Sequence, residues 1–126
     1  MILIVDDDVN LGQSLERMLR YLGREAVRVE RPMEALALLR IRKPSLIILD
    51  LELPEIDGLR LLRAIRADTD NKAIPVIIYS GDFSAEKLHD AMAAGAQEFI
   101  VKGTVGWGTL AARIKKYLGD AAAGHS

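Results

Sequence analysis

The chain has 126 residues, 50% of them hydrophobic, with 17 basic and 18 acidic side chains and a formal net charge of −1. That length suits one compact domain with a real core and is too short for two. The charge balance argues against a dedicated nucleic-acid binder. The absence of cysteine excludes a disulfide framework, a thiolate metal site and a cysteine nucleophile, and it fits a reducing, cytoplasmic compartment.

The first apolar run is 1–5, "MILIV", which turns at once into three aspartates. It lacks the positive flank and length of a secretory signal, and no run in the chain approaches a membrane span. Residues 9–22 have helical period, with Leu11, Leu15, Met18, Leu19 and Leu22 on one face and Gly23 as the stop. A weaker strand follows at Ala26–Val29. Pro32 suits the first turn of a second helix, which carries Ala35, Leu36, Leu39 and Ile41 and ends before Pro44. Leu46–Leu49 is the third strand.

Residues 57–67 form the third helix, with Leu59, Leu62 and Ile65 inward and Arg60, Arg63 and Arg66 outward. The arginines between Arg17 and Arg66 read as solvated helix faces. The fourth strand is 76–79, and Ser84 is a candidate N-cap for a helix over 85–94 that Gly95 stops. Glu98–Val101 is the fifth strand, and a last helix carries Leu110, Ile114, Tyr117 and Leu118. Trp107, at its start, either caps the core or sits exposed as part of a partner surface. "DTDNK" at 68–72 is a polar turn, His89 is a surface residue, and no glycine-rich phosphate loop appears. The domain is expected over 1–119, with 120–126 a flexible tail or an expression scar. Strands alternating with helices imply βαβ units, and continuous apolar strands imply a parallel sheet covered on both faces.

The polar residues then fall into a pattern. The first strand ends in Asp6–Asp8, the third in Asp50, the fourth in Ser80–Gly81 and the fifth in Lys102–Gly103. In a parallel sheet these ends point one way, and ligands of open α/β sheets bind outside them. If the first and third strands are neighbours, Asp6, Asp7 and Asp50 converge. Clustered carboxylates stay ionised together only beside a cation, and an all-oxygen site suits a hard ion such as Mg²⁺. Lys102 supplies a compact positive charge and Ser80 a hydroxyl, so the group could hold a phosphoryl moiety with Asp50 as the attacking carboxylate. Taken singly, each has a plainer reading: Asp6–Asp8 as a helix N-terminal cluster, Asp50 as turn chemistry before Pro54 and Gly58, Lys102 as a solvated lysine. Their coincidence at one sheet edge favours the site.

Four segments, "ILIVDDD", "LIILDLELPEIDG", "PVIIYSG" and "AGAQEFIVKG", occur in the order and at the spacing of the receiver domain of two-component response regulators. The chain resembles that family over residues 1 to about 119. The resemblance implies a flavodoxin-like, doubly wound α/β fold with a five-stranded parallel sheet in order 2-1-3-4-5 and five helices. It implies Asp50 as phosphoacceptor, Asp6 and Asp7 as ligands of Mg²⁺ or Mn²⁺, and the backbone carbonyl of Glu52 as a further ligand. Ser80 and Lys102 bind the phosphoryl group, and Phe99 is an aromatic whose rotamer reports activation. Glu52 and Asp82 flank the site and tune phosphate lifetime in either direction.

Lys102 is followed by Gly103, where the family usually has proline after a cis bond; a non-proline cis bond costs roughly 3 kcal/mol, which favours trans. The expected partners are a histidine kinase or histidine phosphotransfer protein upstream, and a downstream effector or a covalently linked output domain. Neither nucleic acid nor membrane is an expected direct partner. The alternatives are a phosphate-independent interaction module with the same fold and, with a poorer match to "DDDV", an aspartyl-phosphate phosphohydrolase.

Overall fold

A computed structural model describes residues 1–118. Gly119 and the tail expected at 120–126 lie outside the described residues. The elements are β1 (Ile2–Val5), α1 (Val9–Tyr21), β2 (Ala26–Val29), α2 (Pro32–Ile41), β3 (Leu46–Leu49), α3 (Gly58–Ala67), β4 (Val76–Ser80), α4 (Ala85–Ala93), β5 (Glu98–Val101) and α5 (Trp107–Lys115). The sheet has five strands in the order β2-β1-β3-β4-β5, and every pairing is parallel. This is the doubly wound, flavodoxin-like architecture expected from the sequence.

Side chains alternate across each strand, so each strand feeds two cores. Leu3, Val5, Ile47, Leu49, Val76 and Ile78 pack with Ala35 and Leu39 of α2, Leu61, Leu62 and Ile65 of α3 and Ala91 of α4. Ile2, Ile4, Leu46, Ile48, Ile77, Tyr79 and Ile100 pack with Leu15 and Leu19 of α1 and with Leu110 and Ile114 of α5. Each of the fully buried Val, Leu and Ile side chains among these contributes roughly 1.5–3 kcal/mol of transfer free energy. Burial on both faces is why β1 and β3 read as unbroken apolar runs.

Caps set the helix starts. Asp8 accepts the Leu11 amide of α1 at 3.1 Å, Asp57 the Arg60 amide of α3 at 2.9 Å, and Ser84 the Lys87 amide of α4 at 3.1 Å. Asp57 is thus the cap of the third helix and not its first residue. Glu34 in the first turn of α2 accepts the amides of Glu30 and Arg31.

Three side chains depart from what helical and strand rhythm alone suggests. Ile41, one of the apolar residues the second helix carries, is 78% exposed at the last position of α2. The helical rhythm turns Arg66 toward solvent. Its guanidinium instead donates to the carbonyls of Gly95 and Ile74 and to the Gln97 side chain, joining α3 to the amino-terminal ends of β4 and β5. Arg28 of β2 points along α1 and donates to the Asp6 carbonyl at 3.0 Å; a Cβ on Gly12 would strike its side chain.

Candidate functional site

The register of the sheet assembles the site. Val5 pairs with Leu49, so Asp6 and Asp50 leave adjacent strands at the same level. The Asp50 amide donates to the Val5 carbonyl at 3.0 Å, which locks that level. Ser80 pairs with Val101, so Lys102 emerges one residue beyond Ser80, with its amide on the Ser80 carbonyl at 2.9 Å. Ser80 belongs to β4 itself, one residue past the strand end expected from the sequence.

Asp6 and Asp50 are buried, while Asp7 is exposed. One carboxylate oxygen from each of the three lies within 4.8 Å of the others. Lys102 Nζ stands between two of them, 3.0 Å from Asp6 Oδ2 and 2.9 Å from Asp50 Oδ2. The second oxygens are held by backbone: Asp6 Oδ1 accepts the Asp8 amide and Asp50 Oδ1 the Glu52 amide. The aspartate triplet therefore divides its work, with Asp8 capping α1 while Asp6 and Asp7 face Asp50.

The electrostatics follow from this crowding. Burial pushes the Asp6 carboxyl above the usual carboxylate range, and the neighbouring Asp50 charge adds to the rise; the Asp8 amide and Lys102 offset only part of it. Burial alone would lower Lys102, but its hydrogen bonds to Asp50 and Asp6 hold it above the usual lysine value. Burial raises the Tyr79 phenol, whose ring centroid lies 6.0 Å from Lys102 Nζ. Two of three clustered carboxylates share one cation, and all three offer oxygen ligands. That donor set fits a hard divalent ion.

The remaining expected residues surround this centre. The Ser80 side chain is fully buried, and its Oγ accepts the Asp82 amide at 3.2 Å. Asp82 forms an ion pair with Lys87 of α4. Glu52 is exposed, with its amide turned to Asp50. Phe99 is half-buried against the core under α3 and α4 and meets Phe83. No peptide among the described residues is cis, so the Lys102–Gly103 bond is trans, and Gly103 takes φ +83, a left-handed conformation that glycine adopts freely. Gly58 has no room for a Cβ, which would meet the carbonyl oxygen of Asp50 and Cα of Leu51, both backbone atoms.

Trp107, left open by the sequence, is 46% exposed and lines a surface depression with Ser14, Arg17, Met18 and Tyr21. Phe83 and Arg28 were not singled out as contributors from the sequence. Arg28 carried a signal, a lone cation in a four-residue strand. Phe83 carried none beyond being a large apolar residue in a polar link.

Comparison with known proteins agrees with this geometry. The family model for the response regulator receiver domain matches residues 2–115. The chain is 37% identical over 117 residues to the transcriptional regulatory protein PrrA of Mycobacterium tuberculosis, covering 93% of this chain and 49% of the relative. It is 31% identical over 121 residues to the polar-differentiation response regulator DivK of Brucella anthropi, covering 95% of this chain and 97% of that one. Among solved structures, a CheY-like receiver domain protein of Methanospirillum hungatei superposes with a TM-score of 0.86 at 30% identity, covering 93% of this chain and 91% of that one. The BeF3-activated N-terminal receiver domain of RstA from Klebsiella pneumoniae gives a TM-score of 0.85 at 27% identity, with 93% and 97% covered.

The chain belongs to the response regulator receiver domain family of two-component signalling. It spans about half the length of PrrA. No helix among the described residues is long and apolar enough to cross a membrane.

Proposed function

We propose that this chain is a phosphorylation-controlled switch in which Asp50 accepts a phosphoryl group from a phosphohistidine on a histidine kinase or phosphotransfer protein. The observation that carries the reading is the sharing of Lys102 by two buried carboxylates, with a third at the rim. An Asp50 oxygen forms its bond to phosphorus as the donor's phosphorus–nitrogen bond breaks and the electron pair returns to the imidazole. Lys102 moves from the carboxylate to the incoming phosphoryl oxygens, and the Ser80 hydroxyl donates to another of them. Asp6, Asp7 and the Glu52 carbonyl would hold Mg²⁺ beside Asp50. The chemistry such an ion would supply is neutralisation of charge on the phosphoryl oxygens, the main requirement of this transfer.

The domain runs over 1–119 in this reading. It catalyses only its own phosphorylation and dephosphorylation, with Glu52 and Asp82 setting the phosphate lifetime. The new dianion draws Ser80 inward, Phe99 follows, and the face formed by α4, β5 and α5 changes its fit to a cytoplasmic effector or a linked output domain. The chain covers 97% of the length of DivK and 49% of that of PrrA, lengths that accommodate either arrangement.

Acetyl-phosphate labelling with Mg²⁺, read by intact mass, tests this. One phosphoryl adduct is expected in the wild type, and none in Asp50→Asn or with EDTA. Folded wild-type protein without an adduct would move the function to a phosphate-independent interaction module.

A further inference from the structure

The chain has 2 phenylalanines, and the fold brings them together. Phe83 lies in the link between β4 and α4, Phe99 in β5. Their ring centroids are 5.7 Å apart with planes at 79°, an edge-to-face pair. Such pairs are favoured beyond the area they bury. Phe83 is 50% exposed, so core burial does not account for its position.

The link is tied at both ends by hydroxyls. Near β4 the Asp82 amide donates to Ser80 Oγ at 3.2 Å; at α4 the Lys87 amide donates to Ser84 Oγ at 3.1 Å. The α4 tie is a helix cap, reinforced by the Asp82–Lys87 ion pair. The β4 tie reaches into the site, because Ser80 stands between the strands that carry Asp50 and Lys102. A Ser80 Oγ that swings to donate to an anion on Asp50 leaves the Asp82 amide without its acceptor. Phe83, the next residue, then loses the anchored base from which it meets Phe99.

We propose that Phe83 is a positioning residue of the switch, holding Phe99 in its resting place by the edge-to-face contact and releasing it when Ser80 is drawn to the phosphoryl site. The inference rests on the phosphorylation reading above. A contact made only in the resting state opposes activation, so its removal makes activation easier by its full worth. For an aromatic pair that is roughly a two- to tenfold change in an equilibrium constant.

The test is a beryllofluoride titration with Mg²⁺ of the full chain, with 4-fluorophenylalanine giving one fluorine resonance per ring. Phe83→Leu is expected to lower the beryllofluoride midpoint roughly two- to tenfold and to move the Phe99 resonance toward its bound position before ligand is added. Phe83→Tyr, which keeps the ring edge, is expected to match the wild type. In a Phe99→Leu background, Phe83→Leu should no longer change the midpoint. A merely structural role would give the same change in both backgrounds, or none in either, and each result overturns the proposal. Wild-type protein that binds no beryllofluoride overturns the phosphorylation reading and this inference together; normal wild-type binding with an unshifted Phe83→Leu overturns this inference alone.

Discussion

The two ends of the sheet bury polar groups in opposite ways. At the amino-terminal end, Arg66 spreads its donors over the carbonyls of Gly95 and Ile74 and the Gln97 side chain, whose oxygen also accepts the Val76 amide. Nearby, Lys43 donates to the Leu39 carbonyl and to buried Asn71. Charges there meet neutral acceptors, so nothing is repelled. At the carboxyl-terminal end, three carboxylates cluster and one lysine reaches two of them. The comparison separates polar burial that closes a fold from polar burial that leaves negative charge uncompensated, a donor set that suits a further cation.

Lys102→Ala gives the largest expected effect. It strips two buried carboxylates of their counter-charge and should cost about 3 kcal/mol in metal-free urea unfolding at neutral pH. Mg²⁺ should then raise the melting temperature more than it does in the wild type, and acetyl-phosphate labelling should vanish. Equal Mg²⁺ responses would break the idea that the lysine and a divalent ion share one task.

Arg66→Ala comes next, at about 2–3 kcal/mol, because it leaves buried carbonyls without donors. Here the labelling rate should stay at the wild-type value. A rate change would mean that the two ends are not independent.

Asp6→Asn should act in the other direction, raising metal-free stability by about 1 kcal/mol while abolishing stabilisation by Mg²⁺. The raised Asp6 carboxyl means that the folded state keeps a proton the unfolded chain has released. Metal-free wild type should therefore lose stability as pH rises from the ordinary carboxylate range into the raised one. Asp6→Asn should flatten that slope in thermal melts across the interval.

The smallest effect belongs to Glu55, which holds φ 77 in the loop after β3. Glu55→Gly relieves a left-handed conformation and should add about 0.5–1 kcal/mol, partly offset by backbone entropy and by its exposed ion pair with Arg31.

Much of this arrangement was legible in the chain. Unbroken apolar runs reported the parallel strands, and charges at the ends of β1, β3 and β5 reported the site, because an aspartate or lysine directly after a buried strand needs a partner. What periodicity cannot report is the reach of long side chains. Arg66 falls on the outward rhythm of α3, yet its arm bends to the sheet's end. The edge-to-face contact of Phe83 and Phe99 depends on a link too short to show any period. Buried Glu98 is similar: it accepts from Arg113, Lys116 and Tyr117, with the Tyr117 phenol pushed up to about 12 by burial and by that carboxylate. The network joins β5 to α5 and the turn that follows it through residues 15 to 19 positions apart, beyond any local pattern.

Gly58 carries a consequence for mutational scanning. A Cβ on the first residue of α3 would strike the backbone of Asp50 and Leu51, so no substitution there can be absorbed by a side-chain rotation. Most positions sort into those that lower abundance and those that lower signalling. At position 58 the two phenotypes should be inseparable, with every replacement scoring low in both screens.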